Sequence, residues 1–161
     1  MSFFDFFKPD LHRQQALTIN NQLVQRAEDL ASGGTLYIDD DFNHRFEIMV
    51  FFAARILFEF RENHAFSHVF WETIFDGFDY SLRERGVNDI RIGARMNKLH
   101  AHATGRRNAF LAAWEGDDKI ALADAIARNI LNGASPDDPR VAVLLEQLPD
   151  LVNDVEKIGV I

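Results

Sequence analysis

The sequence predicts an all-α fold: a single-domain helical bundle of about six helical segments over residues 1–161. Three observations lead there. Apolar residues recur at three- and four-residue steps in six stretches, Gly or Pro/Asp turns separate those stretches, and no convincing set of alternating strands competes with them. A chain of 161 residues suits one core. It shows neither a solenoid-like repeat nor a low-complexity linker.

The first helix is expected from about 11 to 31, with Ala16, Ile19, Leu23, Ala27 and Leu30 on one face and Gly33-Gly34 as its stop. Thr35 to Ile38 reads as connector rather than sheet, and the acids after it suit a helix start, where free N–H groups favour carboxylates. A second helix should run from about Asp41 to Asn63. Its apolar face, Phe42, Phe46, Met49, Phe52, Ile56 and Phe60 widened by Phe51 and Phe58, is too broad for a surface helix, so several others must cover it.

A third helix is expected over Ser67 to Arg85, ended by Gly86. Residues 91 to 114 follow, either as one helix or as two segments meeting near Gly105. After the Glu115 to Asp118 turn, the Ala-rich stretch KIALADAIARNIL reads as a strong helix former ended by Asn132-Gly133. SPDDP then starts a terminal helix, which Pro149 should break or kink.

Composition removes several functional classes. There is no Cys, so disulfides, thiolate nucleophiles, zinc fingers and thiolate-held clusters are excluded. A formal net charge of -8 argues against whole-surface attraction to nucleic acid, making direct nucleic-acid binding unfavoured. The longest uninterrupted apolar run, Ile48 to Ala54, falls far short of the roughly 18 to 20 residues needed to span a bilayer. The opening MSFFDFFKPDLHRQQ fits neither a secretory signal nor a mitochondrial presequence, so a cytoplasmic location is expected, with a peripheral position at the cytoplasmic face of the inner membrane as its extension. Fifteen Phe are present, four of them in that opening and most others between Phe42 and Phe78. They predict either an aromatic interior or an apolar binding surface.

No catalytic, cofactor-binding or metal-ligating set emerges. His100 and His102 diverge by about 200° on a helix. The better-spaced His64 and His68 lack a sequence-linked third ligand. Glu72, Asp76 and Asp79 share a helical face without the opposed apolar pocket that acid catalysis needs, and a solvated face accounts for them. Neither a GxSxG elbow nor a phosphate-binding glycine loop occurs.

Charge is the sharper signal. Residues 83 to 107 hold seven basic groups against Glu84 and Asp89, a net +5 that leaves -13 for the remainder. Arg91, Arg95 and Lys98 share one side of a helix, and they are the expected partner-binding residues, with Arg83 and Arg106 as extensions. A solvated helical face, an acidic protein segment, RNA phosphate and membrane headgroups all remain open on charge alone.

The stretch DYSLRERGVNDIRIGARMNKLHAHATGRRNAF, Asp79 to Phe110, adds a resemblance. It is similar to the ubiquinol–cytochrome c chaperone family through Asp79, Ser81-Leu82-Arg83-Glu84, Gly86-Val87, Asp89, Gly93, Arg95, Lys98 and Gly105-Arg106 in order. Support extends over Phe42 to Leu131, the best family-like core. Ala94, Asn97 and Ala103-Thr104 depart from the family pattern, with less positive charge and less aromatic area. The resemblance implies a non-enzymatic assembly chaperone without cofactor, whose partner is cytochrome b or another component of the cytochrome bc1 complex. Two other classes stand beside it: a generic helical adaptor binding an acidic or apolar segment, and an enzyme using an acidic or histidine cluster.

Overall fold

A computed structural model describes residues 10–161, and its first side chain starts the first helix. Asp10 accepts a hydrogen bond from the Arg13 N–H at 3.3 Å, capping α1 (Leu11–Ser32). Side-chain caps of the same kind from Asp41, Asn63, Asn88, Asp118 and Asp138 open α2 (Phe42–Glu59), α3 (His64–Glu84), α4 (Asp89–Glu115), α5 (Lys119–Asn129) and α6 (Pro139–Glu146). Only α7 (Leu148–Ile158) lacks one, because it follows α6 through the single residue Gln147. Among the described residues there are no strands, and the single-domain all-α bundle holds.

Two boundaries differ from the sequence reading, and one alternative that it left open is decided. The second helix ends at Glu59 rather than Asn63, and the third starts at His64 rather than Ser67, because Asn63 turns its side chain to the Phe66 N–H at 3.1 Å. Gly105 does not interrupt α4, which runs unbroken for 27 residues. Gly93 and Gly105 both look outward, where a side chain would meet nothing within 4 Å. Their cost, about 1 kcal/mol each against Ala, is offset by the packing of Ile92, Leu99, Ala103, Phe110 and Ala113. The terminal stretch breaks at Gln147, two residues before Pro149, which lies in the first turn of α7 and has no N–H to lose there. Among the described residues seven helices therefore stand where about six segments were expected.

Helix α2 sits at the centre, packed on α1, α4 and α7, while α3 lies against α1 and α4. Phe51, Phe52 and Ile56 are fully buried within it. Among the described residues no Phe is exposed: Phe42 and Phe58 are half-buried and the others buried. From Phe42 on, the aromatic-interior reading is thus the correct one. Phe3, Phe4, Phe6 and Phe7 lie outside the described residues. Gly77 eases the close approach of α1 and α3, since a Cβ there would come within 3.1 Å of the Asn20 amide nitrogen, which would have to give by a few tenths of an ångström.

The turn into α6 is held by charge. Arg140 donates from Nε and Nη2 to the Asp138 carboxylate at 2.9 and 2.7 Å, and from Nη1 to the Leu36 carbonyl at 2.9 Å, tying α6 to the connector before α2. The Arg140 side chain first, then its N–H, hold the Asp138 carboxyl down from 3.8 to about 2. Its stabilising effect is complete above the unfolded value and is lost as pH falls through the folded one. Asp138→Asn keeps a capping oxygen but loses the ion pair. We therefore expect a lower urea midpoint than the parent at about pH 6 and a much smaller gap near pH 2. An equal gap at both pH values would refute the assignment.

Candidate functional site

The basic region begins at the corner between α3 and α4, and its geometry follows from local sequence. After Glu84, Gly86 adopts a φ of 84°, open to glycine at little cost. That lets its N–H reach the Arg83 carbonyl at 3.0 Å and the Val87 N–H reach Leu82 at 3.2 Å. Asn88 then caps α4 by accepting from the Arg91 N–H at 3.1 Å. Helix stop and helix start thus fit into four residues. Arg83 braces the corner, bonding Asp79 at 2.6 Å on its own helix and Asp89 on the next.

Arg106 is likewise engaged inside the chain. Its Nε and Nη2 donate to the two oxygens of Glu47 at 3.2 and 3.3 Å, joining α4 to α2. Burial outweighs this attraction, and the Glu47 carboxyl is pushed above its ordinary value. Arg107 lies over the Trp71 ring at 4.8 Å, and desolvation lowers its proton affinity. On the neighbouring face His100 stacks on Phe75 with ring centres 3.9 Å apart.

The structure brings Arg91, Arg95 and Lys98 onto one exposed flank of α4, and none of the three has an ion pair among the described residues. With Asn43, Leu99 and His102 they line a shallow cleft of about 370 Å³. Arg85 lies over the Phe42 ring at 5.4 Å and joins Arg91 and Arg95 around a smaller hollow at the corner. Of the five expected partner-binding residues, three are therefore available together. Arg83 and Arg106 hold the helices that present them.

Two further features escape sequence reasoning. A groove of about 580 Å³ runs between α1, α2 and α3, floored by Phe46, Met49 and Phe78 and edged by Arg45, Glu84 and Arg85. At the start of α2, His44 bonds Asp41 through Nδ1 at 2.8 Å and Asn132 through Nε2 at 3.1 Å. Asp41 is thereby held below its usual value, chiefly by the His44 N–H. The pairing with Asn132 has no motif, since it spans 88 residues, whereas Asp41 lies only three residues before His44. Among the described residues no three His, Asp or Glu gather as metal ligands, and no helix is long and apolar enough to cross a membrane.

A model of the ubiquinol-cytochrome C chaperone family matches residues 35–157, from the connector before α2 almost to the end of α7. The chain belongs to that family. It is thus a member of a family of chaperones rather than of enzymes. Within the solved structures, the chaperone is similar to the crystal structure of the Cbp3 homolog from Brucella abortus, at 22% identity over 98% of this chain and 88% of that one, with a TM-score of 0.63. That likeness is one of fold. A comparison with curated proteins gave no match.

Family membership and geometry together divide the residues of the Asp79 to Phe110 stretch into two kinds. Asp79, Arg83, Gly86, Asp89 and Arg106 build the corner and clasp the helices. Arg95 and Lys98 point outward with no internal duty among the described residues.

Proposed function

We propose that this chaperone binds newly made cytochrome b during biogenesis of the cytochrome bc1 complex, without bond-breaking chemistry of its own. The observation that carries the reading is the family match over residues 35–157, which spans the whole of α2 to α6. An unassembled membrane protein exposes apolar helices, and a bound helical domain that favours the unassembled form lowers the population open to aggregation. The exposed flank of Arg91, Arg95 and Lys98 is the surface by which the chaperone docks where that encounter takes place.

Crosslinking during synthesis is expected to capture cytochrome b before it joins the complete complex. Deletion should lower newly made cytochrome b, or its assembly, more than its mRNA. Binding should also be transient, since a permanent subunit would accompany the mature complex in constant proportion. Unchanged cytochrome b synthesis, accumulation and assembly in the deletion strain would sink the role, and crosslinks to soluble proteins alone would support a general helical adaptor instead.

A further inference from the structure

We infer that the outward face of α4, from Ile90 to Ala101, docks on the anionic surface of a phospholipid bilayer. The inference deepens the reading above by naming what the cationic flank meets, and it takes from that reading only the reason to be at a membrane.

Charge is the first support. In a chain with 25 acids, no Asp or Glu occurs from Ile90 to Trp114. The cations Arg91, Arg95 and Lys98 on this face are exposed and without carboxylate partners among the described residues. A chain of net charge -8 is repelled as a whole by an anionic surface. Its approach must therefore be through this face, which orients the molecule as it attracts it.

Shape is the second. Ile90 is 91% exposed in the first turn of a helix otherwise buried along its inner face. At about 100° per residue, Ile90, Ala94 and Ala101 lie within roughly 40° of one another and, with the polar Asn97 about 20° to their other side, line a crest about 17 Å long. All three are exposed. Lys98, Arg91 and Arg95 follow along one flank, roughly 80 to 140° round from Ile90. A low apolar crest beside a row of cations is the arrangement of a helix that lies on a bilayer, its cations at the phosphates and its aliphatic group below them. RNA is disfavoured by the same face, because the exposed Phe, Tyr and Trp of the described chain are Tyr37 and Tyr80, neither on α4, which leaves a base only the small imidazole of His102 beside the cations. An acidic protein segment pairing with the cations alone would leave Ile90 in water.

The test uses the purified full chain and no client. Flotation with vesicles of phosphatidylcholine containing about 30% phosphatidylglycerol should recover the protein, and vesicles of phosphatidylcholine alone should not. Binding should disappear near 0.5 M salt, where screening reaches roughly 4 Å. The variant R91E/R95E/K98E, shown to be helical by circular dichroism, should partition at least about tenfold less. Ile90→Ser should weaken binding several-fold with unchanged salt dependence, and Ile90→Trp should give a blue-shifted emission on the anionic vesicles only. This last measurement keeps the parental charges and so serves even if the triple variant misfolds.

Equal recovery with neutral vesicles, undiminished binding by the folded triple variant, or no emission shift at position 90 would overturn the assignment. So would release by millimolar glycerol phosphate, which would mark a site for free phosphate. Absence of vesicle binding with retention on polyglutamate would give the face to an acidic protein. Failure here together with cytochrome b crosslinks leaves the chaperone role standing, and vesicle binding without those crosslinks leaves this inference standing alone.

Discussion

Phe51→Ala is expected to lower the free energy of unfolding by about 3–5 kcal/mol. Phe51 is fully buried in the central helix, with the Phe52, Phe110 and Trp114 rings 5.6, 5.1 and 6.1 Å from its own. Those rings come from two helices, α2 and α4, that are already packed against each other, so neither can collapse far into the space left. The loss thus includes both the transfer of a phenyl group and a cavity. Against a typical total of about 5–15 kcal/mol this is a large share. Urea unfolding followed by far-ultraviolet circular dichroism measures it, and Trp114 emission should shift in the folded variant because one of its ring neighbours has gone. A loss below about 1 kcal/mol would mean that α2 and α4 do not close on this side chain.

Arg106→Met should be the most costly of the charge changes. It removes the partner of a carboxylate whose side chain is only 16% exposed, leaving Glu47 to bear its desolvation alone. Removal of one member of a fully buried pair costs about 3–5 kcal/mol, but Arg106 is 34% exposed and water shares its work, so about 1–2 kcal/mol is expected near neutral pH.

The pH dependence carries a definite sign. Burial raises the Glu47 carboxyl above the ordinary 4.5, so the folded protein binds this proton more tightly than the unfolded chain does. Ionised Glu47 therefore weighs against the fold above its folded value, and the penalty is absent below the unfolded one. Without Arg106 the penalty grows. The gap between Arg106→Met and parent should accordingly narrow as pH falls toward about 4, and Glu47→Gln should restore part of the lost stability at neutral pH. A gap that widens on acidification, with no rescue by Gln, would show that Arg106 acts through its methylene stem instead of its charge.

Helix periodicity was legible wherever a stripe faced the interior, since Ile92, Met96, Leu99 and Ala103 must turn inward whatever lies opposite them. The same holds for the breadth of the α2 face, which called for several neighbours and has them in α1, α4 and α7. Helix ends were harder to read. Asn63 serves equally well as the tail of one helix or the cap of the next, and only the side-chain bond to Phe66 decides. Gly105 left one helix and two segments equally open because propensity is local, whereas the continuity of α4 is set by residues packed along its other side.

The candidate site divides in the same way. The i, i+4 pairing of Asp79 with Arg83 is contained in their spacing. Arg106, by contrast, reads as one more surface cation until Glu47, 59 residues earlier, is seen beside it. Availability of a charge is a property of the folded surroundings, and composition counts every Arg alike.

Helix α7 bears on how the molecule is made. It packs on α2 and contributes Leu151 and Val155, both fully buried, while Asp154 meets Arg26 of α1 at 2.6 Å across 128 residues of chain. A ribosome delivers the elements from α1 onward, so the underside of α2 stays uncovered until the last helix has emerged. Local helix pairs form as they appear, but the sealing contact carries the largest loop-closure cost and waits until α7, after all the other described helices, has emerged. The chaperone thus passes through its own interval of exposed apolar surface, and a message truncated before Leu148 would yield a chain in the same unprotected condition as the clients it serves.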